Sequence, residues 1–458
     1  MKVGVWCAYG KTLSVSDGIG VFAHSLAKYL ARSPRVNGVV MAIHAGDESQ
    51  MEATVAAGGG CIRTVSLKRL PPASRWRRKT LRWRHRSQSR RYESLGRSGG
   101  MGGVARSERL RARLAATELA TDRLLAKQAA SDPGVFASPA EGGCDIWVLP
   151  HVSVERSFNA ATVVLIHDMV PLREPGLLKP HDVASFRRRS QVVAERSTLI
   201  GCMSEVIRDG DIVGLLGCPA EKVRIVGAAV PDDIGFPDLP VPTTCRQQPD
   251  LPAGVAAPYL LYPAAFRGYK NHELLIEALS ILDQLGVPPL QLVFTGDTPL
   301  PSHLHERAEA AGLSQRVLAI GRVDRDMLER LYRAAAATVV PSRHEQGSFP
   351  VLEALACGCP VAVSDIPSLR EAFGPLNDTI PFFDPGSAKA CAEAVASLVN
   401  NAEAVRLSQA EGFQRLRGRT WQQATDEWID VFDEAIAMHA ALHSRTSQPE
   451  KAVPTTPG

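Results

Sequence analysis

Within the segment Pro341–Glu371, the carboxylates of Glu345 and Glu353 have seven residues between them. It begins at the end of a predicted strand and passes through a polar loop containing Gly347. A short helix then begins at Ser348–Pro350 and ends at Gly358, with Ser348 as a favourable N-cap residue. The N-terminus of a helix offers unpaired N–H groups and a partial positive charge, and it is therefore a good binding site for phosphate groups. The segment predicts a diphosphate site.

The second carboxylate, Glu353, lies in the otherwise apolar run Val351–Ala356. A helical glutamate is most often part of a solvated face, and that reading stays open here. The apolar neighbours nevertheless favour burial, and a buried carboxylate needs a charged or hydrogen-bonding partner. A pair of ribose hydroxyls would be a suitable partner.

Two further polar groups follow predicted strands. Lys270 comes shortly after the strand Tyr259–Pro263, with Asn271 placed to cap the next helix. Alone it would most often be a solvated lysine at a helix start, but its place beyond a strand favours contact with a ligand. His167 and Asp168 follow the strand Thr162–Ile166 and are either a hydrogen-bonded pair at a strand end or part of a site. Gly18 and Gly20 alone indicate only a tight turn.

The elements that must position these residues are short β-rich runs alternating with helical patterns, which is typical of doubly wound α/β structure. The helical pattern of Gly20–Ala31 has Phe22, Leu26 and Leu30 on one face. The predicted strands are Lys2–Cys7, Val39–His44, Asp145–Leu149, Thr162–Ile166, Thr198–Met203, Lys222–Val226, Tyr259–Pro263, Gln291–Thr295, Val317–Ile320, Thr338–Pro341 and Pro360–Ser364.

The strands form two series, separated by a stretch with seven prolines between Pro231 and Pro258. We therefore predict a domain at 1–230, a proline-rich linker at 231–257 and a second domain at 258–420. A terminal helix at 421–443 is expected to pack back across the domains, and a disordered tail follows at 444–458. Ligands of such sheets bind beyond the carboxyl ends of the strands, so we expect the site in a cleft between the domains.

Composition sets the broad class. The 458 residues are 45% apolar and 22% charged, with a net charge of +4, which is ordinary for a globular enzyme. No apolar run reaches the roughly 18–20 residues that span a bilayer, and the N-terminus predicts a strand rather than a secretory signal. The nine cysteines are scattered along the chain, which favours reduced thiols and a cytoplasmic protein.

A basic insert at about 68–115 interrupts the first domain. Its part Lys68–Arg97 has twelve Lys or Arg residues and one acid, Glu93. Trp76 and Trp83 are seven residues apart and would share one face of a helix, as in a helix that lies on a membrane surface. A solvated loop is the alternative, and nothing else in the sequence indicates nucleic-acid binding.

The Glu-x7-Glu spacing, followed by ALACGCPVAVSD, resembles the large group 1 family of retaining GT-B glycosyltransferases, the fourth in the usual sequence classification, and in particular its mannosyltransferase-like members. SDGIGVFAHSLAKYL, LIHDMVPL, LLYPAAFRGYKNHELLIEAL and VLAIGRVDRDMLERLYRAAAATVVPSRHE resemble other segments of that family, in the right order. The resemblance covers most of the chain outside about 50–140, the linker and the tail. It implies the GT-B fold, with two doubly wound Rossmann-like domains facing a central cleft, the acceptor side at 1–230 and the nucleotide-sugar donor domain at 258–420.

The resemblance also implies roles for the matching residues. The catalytic ones would be Glu345 beside the donor sugar, His167 reaching the transferred sugar, and Lys270 neutralising the departing diphosphate. Glu353 would accept hydrogen bonds from the ribose hydroxyls. The remaining donor contacts would come from Arg267, Gln346, Gly347, Ser348, Val323, Gly18 and Gly20. Where many members have Gly-Phe-Gly after the first glutamate, this chain has Gln346-Gly347-Ser348, and where many have an arginine it has Ala264, for which Arg267 could substitute.

These features predict a retaining glycosyltransferase that moves a sugar from GDP-mannose or a UDP-sugar to a glycan or lipid-linked acceptor, in cell-surface polysaccharide or glycolipid synthesis. No cofactor or metal is expected, because a cation and a helix N-terminus can stabilise the leaving diphosphate. We expect a cytoplasmic protein, peripheral at the inner face of the membrane if the basic segment binds lipid. The alternatives are a catalytically silent GT-B partner subunit, which would lack Glu345, Glu353 or Lys270, and a nucleotide-sugar epimerase, which needs no acceptor.

Overall fold

The structure is a computed structural model of the chain. It describes residues 1–9, 11–13, 18–67, 80, 113, 116, 140, 143–152, 158–177, 180–227, 229, 250–296, 298–416 and 420–446. They form two compact units. Unit 1 takes its residues from Met1–Cys202, Asp211–Val226 and Thr425–Gly458, and unit 2 from Met203–Gly210 and Gly227–Ala424.

Unit 1 is built on a seven-stranded parallel sheet with the order β5-β4-β1-β6-β7-β8-β9. Its strands, with the small antiparallel pair β2 and β3, are β1 Lys2–Trp6, β2 Ala8–Tyr9, β3 Lys11–Thr12, β4 Gly38–His44, β5 Ile62–Leu67, β6 Ile146–Leu149, β7 Ala161–Leu165, β8 Leu199–Cys202 and β9 Val223–Ile225. Its α-helices are α1 Gly18–Leu30, α2 Glu52–Ala57, α3 Val170–Arg173 and α4 Pro180–Arg196, with the π-helix Ile207–Leu215 and 3-10 turns at Glu48–Met51, Pro175–Leu177 and Ala220–Lys222.

Unit 2 is built on a six-stranded parallel sheet with the order β12-β11-β10-β13-β14-β15. The strands are β10 Tyr259–Pro263, β11 Gln291–Thr295, β12 Val317–Ala319, β13 Ala337–Val340, β14 Val361–Ser364 and β15 Phe382–Phe383. The helices are α5 His272–Gln284, α6 Ser302–Ala310, α7 Arg325–Ala334, α8 Phe349–Ala356, α9 Pro367–Phe373, α10 Ala388–Asn400 and α11 Ala402–Leu416, with 3-10 turns at Gly268–Lys270 and Gly374–Leu376. The last helix, α12 Trp421–Thr446, begins in unit 2 and continues into unit 1.

The predicted strands are present in both sheets to within one or two residues, because their apolar runs are buried. The structure adds β5 and β15, which the sequence analysis did not predict, as well as the β2–β3 pair. In β5 only Ile62 and Leu67 are buried and Arg63 is exposed, so no continuous apolar run marks this edge strand. β15 has two residues, which is too short for a period-two pattern.

The domain boundaries differ from the predicted ones. Met203–Gly210 belongs to unit 2 although 1–230 was predicted as one domain. The terminal helix, predicted at 421–443 to pack back across the domains, continues to Thr446; its first residues belong to unit 2, and from Thr425 on it is part of unit 1. Residues 231–249 of the predicted linker, the basic segment apart from Thr80, and the tail from 447 lie outside the described residues.

Aromatic packing explains why α12 joins unit 1. The Trp428 ring is fully buried, with the ring centroids of Phe22 and of Phe432 each 6.1 Å away. It lies over Gly201 of β8, the position in the sheet that has no side chain to displace it. On the outer face of α12, Arg35 forms ion pairs with Asp430 and Asp433.

None of the described helices combines the length and the apolar composition that a membrane-spanning helix requires.

This contact predicts that Gly201→Ala destabilises unit 1. An added Cβ would lie 2.6 Å from Cζ3 of Trp428 and 2.7 Å from Cδ2 of Leu165. Overpacking of this kind costs about 1–3 kcal/mol. Gly38→Ala in β4 is the matched control, because its Cβ would come no closer than 3.9 Å to Lys2 Cγ. Urea unfolding should show a lower midpoint for Gly201→Ala alone, and equal midpoints for the two variants would contradict the packing of α12.

Candidate active site

In unit 2 the strand order reverses between β10 and β13. The chain runs from β10 outward through β11 and β12, then returns to β13 and continues through β14 to β15 on the other side. β10 and β13 pair in parallel, Leu260 with Ala337 and Leu261 with Thr338. Ligands of open α/β sheets bind at such a switch point, beyond the carboxyl ends of the strands. Lys270 follows β10 and Glu345 follows β13.

The structure brings these two residues into direct contact. Lys270 Nζ donates to Glu345 Oε1 at 2.6 Å, with 20% and 11% of the two side chains exposed. Ser342 Oγ donates to the same carboxylate oxygen at 2.8 Å. Ser342 has a single hydroxyl proton, which it donates to Glu345. In the contact of 2.8 Å between Tyr262 and Ser342, the Tyr262 hydroxyl must therefore be the donor. We call Tyr262, Lys270, Ser342 and Glu345 the switch-point cluster.

The charge of Lys270 depends on its partner. Burial lowers the pKa of Lys270, but the Glu345 carboxylate, helped by Tyr262 and Tyr269, outweighs it and raises the pKa above its ordinary value. Burial raises the pKa of the Tyr262 phenol, which therefore stays neutral and able to donate. Lys270 is thus a cation throughout the neutral range.

Asn271 fixes the loop that carries Lys270. It has a left-handed backbone, with φ of 59°, and it makes no side-chain capping bond to α5. Its Nδ2 donates instead to the carbonyl oxygens of Pro341 at 3.0 Å and Pro385 at 2.9 Å. The expected cap is therefore wrong: the amide joins the loop after β10 to the chain leaving β13.

Helix α8 begins where the sequence analysis placed it. Ser348 is the N-cap residue, but its side chain makes no capping hydrogen bond. The Ser348 side chain is buried, and among the described residues its Oγ has no hydrogen-bond partner. Such a hydroxyl is costly to bury unless something pairs with it. The helix ends at Ala356, and Gly358, two residues later, has φ of 67°, the conformation that favours glycine after a helix.

The side chain of Glu353, in α8, is mostly buried, with 13% of it exposed. Its Oε1 accepts from Arg325 Nη1 at 2.7 Å and its Oε2 from the Tyr332 hydroxyl at 2.8 Å. Burial of this carboxylate was expected, with ribose hydroxyls suggested as its partners, and its two protein partners were not predicted. The signal was present: Arg325 and Tyr332 are seven residues apart and so share one face of α7. An ionised carboxylate has further lone pairs for other donors.

The other predicted donor-site residues of unit 2 lie around these contacts in the chain. Arg267 is exposed and precedes the 3-10 turn that ends in Lys270. Gln346 and Gly347 are half-buried in the loop between Glu345 and α8, and Val323 is half-buried after β12.

The remaining predicted residues are in unit 1, whose sheet has its own switch point between β1 and β6. His167 Nε2 donates to the Pro150 carbonyl at 3.0 Å, at the end of β6. Gly18 is exposed at the start of α1, and Gly20 is buried.

His151, which lies two residues beyond the end of β6, was not among the predicted site residues. Burial, with His167 and Arg189 nearby, lowers the pKa of His151 to about 4, so its ring is neutral at pH 7. Its position after a central strand was the available signal.

The described cysteines and possible metal ligands add little to the site. Of the cysteines that the structure describes, Cys61 is exposed and the other seven are buried free thiols. Burial raises the pKa of Cys357 to about 12, so this thiol is unreactive. Within the described residues, no group of three or more His, Cys, Asp or Glu side chains is placed to hold a metal ion.

Comparison with known proteins places these contacts in a family region. Residues 246–411 match the model of the family described as glycosyl transferases group 1, a stretch that contains the switch-point cluster and Glu353. D-inositol 3-phosphate glycosyltransferase of Salinispora tropica is 34% identical over 142 residues, which are 30% of this chain and 29% of that protein. O-antigen chain mannosyltransferase B of Escherichia coli is 26% identical over 288 residues, 62% of this chain and 71% of that protein. The chain thus spans under a third of the former relative's length.

The fold has a solved counterpart in Anabaena HepE, crystallised in complex with UDP and glucose. The two chains superpose with a TM-score of 0.63 at 15% identity, over 95% of this chain and all of HepE. This likeness and the two parallel sheets confirm the predicted fold class, GT-B with two doubly wound Rossmann-like domains. The chain therefore has the GT-B fold, and its residues 246–411, which include the switch point of unit 2, match the model for glycosyl transferases group 1.

Proposed function

We propose that this protein is a retaining glycosyltransferase that binds its nucleotide-sugar donor at unit 2. The observation that carries the proposal is the switch-point cluster, in which the charged and mostly buried Lys270 lies at the carboxyl edge of β10 and β13, paired with Glu345. Three residues after Glu345 comes Ser348, the N-cap residue of α8, whose buried hydroxyl is unpaired among the described residues. A cation and a helix N-terminus at a switch point are the features of a site for a diphosphate.

The chemistry requires these groups. Breaking the bond between the sugar and the phosphate leaves a nucleoside diphosphate whose negative charge increases in the transition state. Lys270 and the N-terminus of α8 would oppose that charge, and each preorganised donor of this kind is worth about 10²–10³ in rate. Glu353 would accept the ribose hydroxyls, because Arg325 and Tyr332 hold its carboxylate while lone pairs stay available.

The choice of donor and acceptor is also a proposal. The relative named as an O-antigen mannosyltransferase supports GDP-mannose as donor, and the HepE complexes with UDP and UDP-glucose support a UDP-sugar. We propose a glycan or lipid-linked acceptor of cell-surface polysaccharide or glycolipid synthesis.

Thermal-shift and hydrolysis screens of nucleotide sugars test which donor is bound. Proton NMR of the product should show the same anomeric configuration as the donor, as retention requires. A wild type that binds no nucleotide sugar would contradict the proposal.

The other two functions predict different results. A silent partner subunit has no need of Lys270, Glu345 and Glu353, yet all three are present and each glutamate has a cationic partner. An epimerase would convert the sugar without an acceptor, and product analysis distinguishes it from a transferase.

Glu353→Ala should weaken donor binding. Losing hydrogen bonds to a charged acceptor costs about 1.5–3 kcal/mol, or roughly 10- to 150-fold in affinity. Calorimetry with UDP-glucose and GDP-mannose measures it. The matched control is Glu393→Ala, which removes a glutamate paired at 3.8 Å with Lys389 on the exposed face of α10. Unchanged affinity in a folded Glu353→Ala variant would remove this residue from the site.

Because Lys270 and the N-terminus of α8 supply the positive charge, we expect transfer to proceed without a metal. Transfer should keep its rate in EDTA, measured with the donor that the screen identifies. Complete loss that magnesium reverses would show that a metal ion stabilises the leaving group instead.

We also propose that the basic segment Lys68–Arg97 attracts the protein to the anionic inner face of the membrane. Basic residues at such a surface contribute about 1 kcal/mol each. Replacing the arginines of 75–86 with Gln should abolish sedimentation with phosphatidylserine liposomes and leave donor hydrolysis unchanged. If the wild type does not sediment at low salt, the segment is a solvated loop.

A further inference from the structure

The carboxylate of Glu345 is engaged by the protein itself. Its Oε1 accepts both the Lys270 ammonium at 2.6 Å and the Ser342 hydroxyl at 2.8 Å, and 11% of the side chain is exposed. A group that attacks or directly contacts a sugar has to present an oxygen to it. Here Oε1 is directed at a lysine, and its two contacts fix the orientation of the carboxylate.

The partners of Glu345 are themselves fixed. Tyr262 donates to the Ser342 hydroxyl from within β10, and the Ser364 hydroxyl at the end of β14 donates to the Ser342 carbonyl at 2.6 Å. Tyr262, Ser342 and Ser364 are all fully buried. Three adjacent strands therefore hold Ser342, and Ser342 orients the Glu345 carboxylate.

We propose that Glu345 is a positioning residue, which together with Ser342 holds the Lys270 ammonium at the carboxyl edge of β10 and β13 as the group that binds the diphosphate. The identity of the ligand rests on the proposed function. The dependence of Lys270 on Glu345 does not, because both residues and their contact belong to this chain.

The electrostatics of the cluster agree with this role. The titratable groups that face Lys270 are Glu345 from the loop after β13, Tyr262 from β10 and Tyr269 from its own turn. Burial alone lowers the pKa of a lysine, since a low dielectric disfavours the charged form. Without the Glu345 charge, the amine would lose its proton at a lower pH. Glu345 thereby sets the upper pH limit at which Lys270 is a cation.

This role differs measurably from direct catalysis. If Glu345 acted on the sugar, replacing its carboxylate would remove turnover at every pH. As a positioning residue it can be replaced by Gln at a cost that depends on pH, because acid restores the ammonium of Lys270. The activity of Glu345→Gln should therefore recover as the pH falls.

The first experiment reads Lys270 directly and needs no substrate. The full-length protein is treated briefly with acetic anhydride between pH 6 and 10.5, and mass spectrometry measures acetylation of Lys270. At pH 9 the rate should be at least tenfold higher in Glu345→Gln than in the wild type, and intermediate in Ser342→Ala. Glu393→Gln is the matched control: it removes the exposed partner of Lys389, whose rate should stay within twofold.

Equal Lys270 rates in the wild type and Glu345→Gln would overturn the inference. Should Glu345→Gln not fold, Ser342→Ala decides the question with an expected increase of about threefold, and an unchanged rate in that variant is the contrary result.

The second experiment connects the ion pair to the site. Calorimetry measures the affinity for UDP and for GDP. For each nucleotide, the wild-type protein should bind about equally well at pH 7 and at pH 9. For the same ligand, Glu345→Gln should bind at least tenfold more weakly at pH 9 than at pH 7. Donor hydrolysis by this variant should approach the wild-type rate to within tenfold near pH 6 and fall steeply above pH 8.

The outcomes separate the two proposals. If the wild type binds neither nucleotide, the proposed function fails, while the acetylation rates still decide whether Glu345 keeps Lys270 charged. If the wild type binds and a folded Glu345→Gln variant hydrolyses donor at no pH, Glu345 acts on the sugar and the positioning role is wrong.

Discussion

The parallel pairing of β10 with β13 is the contact on which the candidate site depends. Neighbouring parallel strands end at the same edge of the sheet. From β10 and β13 the chain continues to opposite sides of the sheet, which leaves a crevice between the loops that follow the two strands. Lys270 and Glu345, separated by 75 positions in the sequence, meet at this edge. The amide of Asn271 then binds the loop of one strand to the end of the other, which keeps the pair in register.

Each glutamate of the Glu-x7-Glu pair has a cation and a hydroxyl as partners. Glu345 has Lys270 and Ser342, and Glu353 has Arg325 and Tyr332. A low-exposure carboxylate keeps its charge only with such partners, and removing one partner of a buried pair leaves the other uncompensated. Within each group, the glutamate and its partners therefore depend on one another for stability.

Much of the fold followed from local patterns. The central strands were predicted because strands buried on both faces are continuous apolar runs, as in β10 and β14. The edge strands β5 and β15 were missed because one face of each is less buried and their apolar runs are broken or short. The terminal helix was predicted to pack back across the domains, and in the structure α12 belongs to unit 1 from Thr425 on, where Trp428 packs over Gly201.

The sequence by itself determined the type of fold, the start of α8 at Ser348, and the candidates Lys270, Glu345 and Glu353, because these depend on residue types at short spacing. Tertiary structure alone decided their partners. Ser342 and Tyr262 had no local signal strong enough to select them, since hydrogen bonds between side chains are set by which strands and helices become neighbours. The same applies to Asn271 and Ser348, whose local propensity predicts helix caps. Asn271 instead joins two loops, because the strand order places the Pro341 and Pro385 carbonyls beside its amide. The Ser348 hydroxyl is buried and makes no capping hydrogen bond.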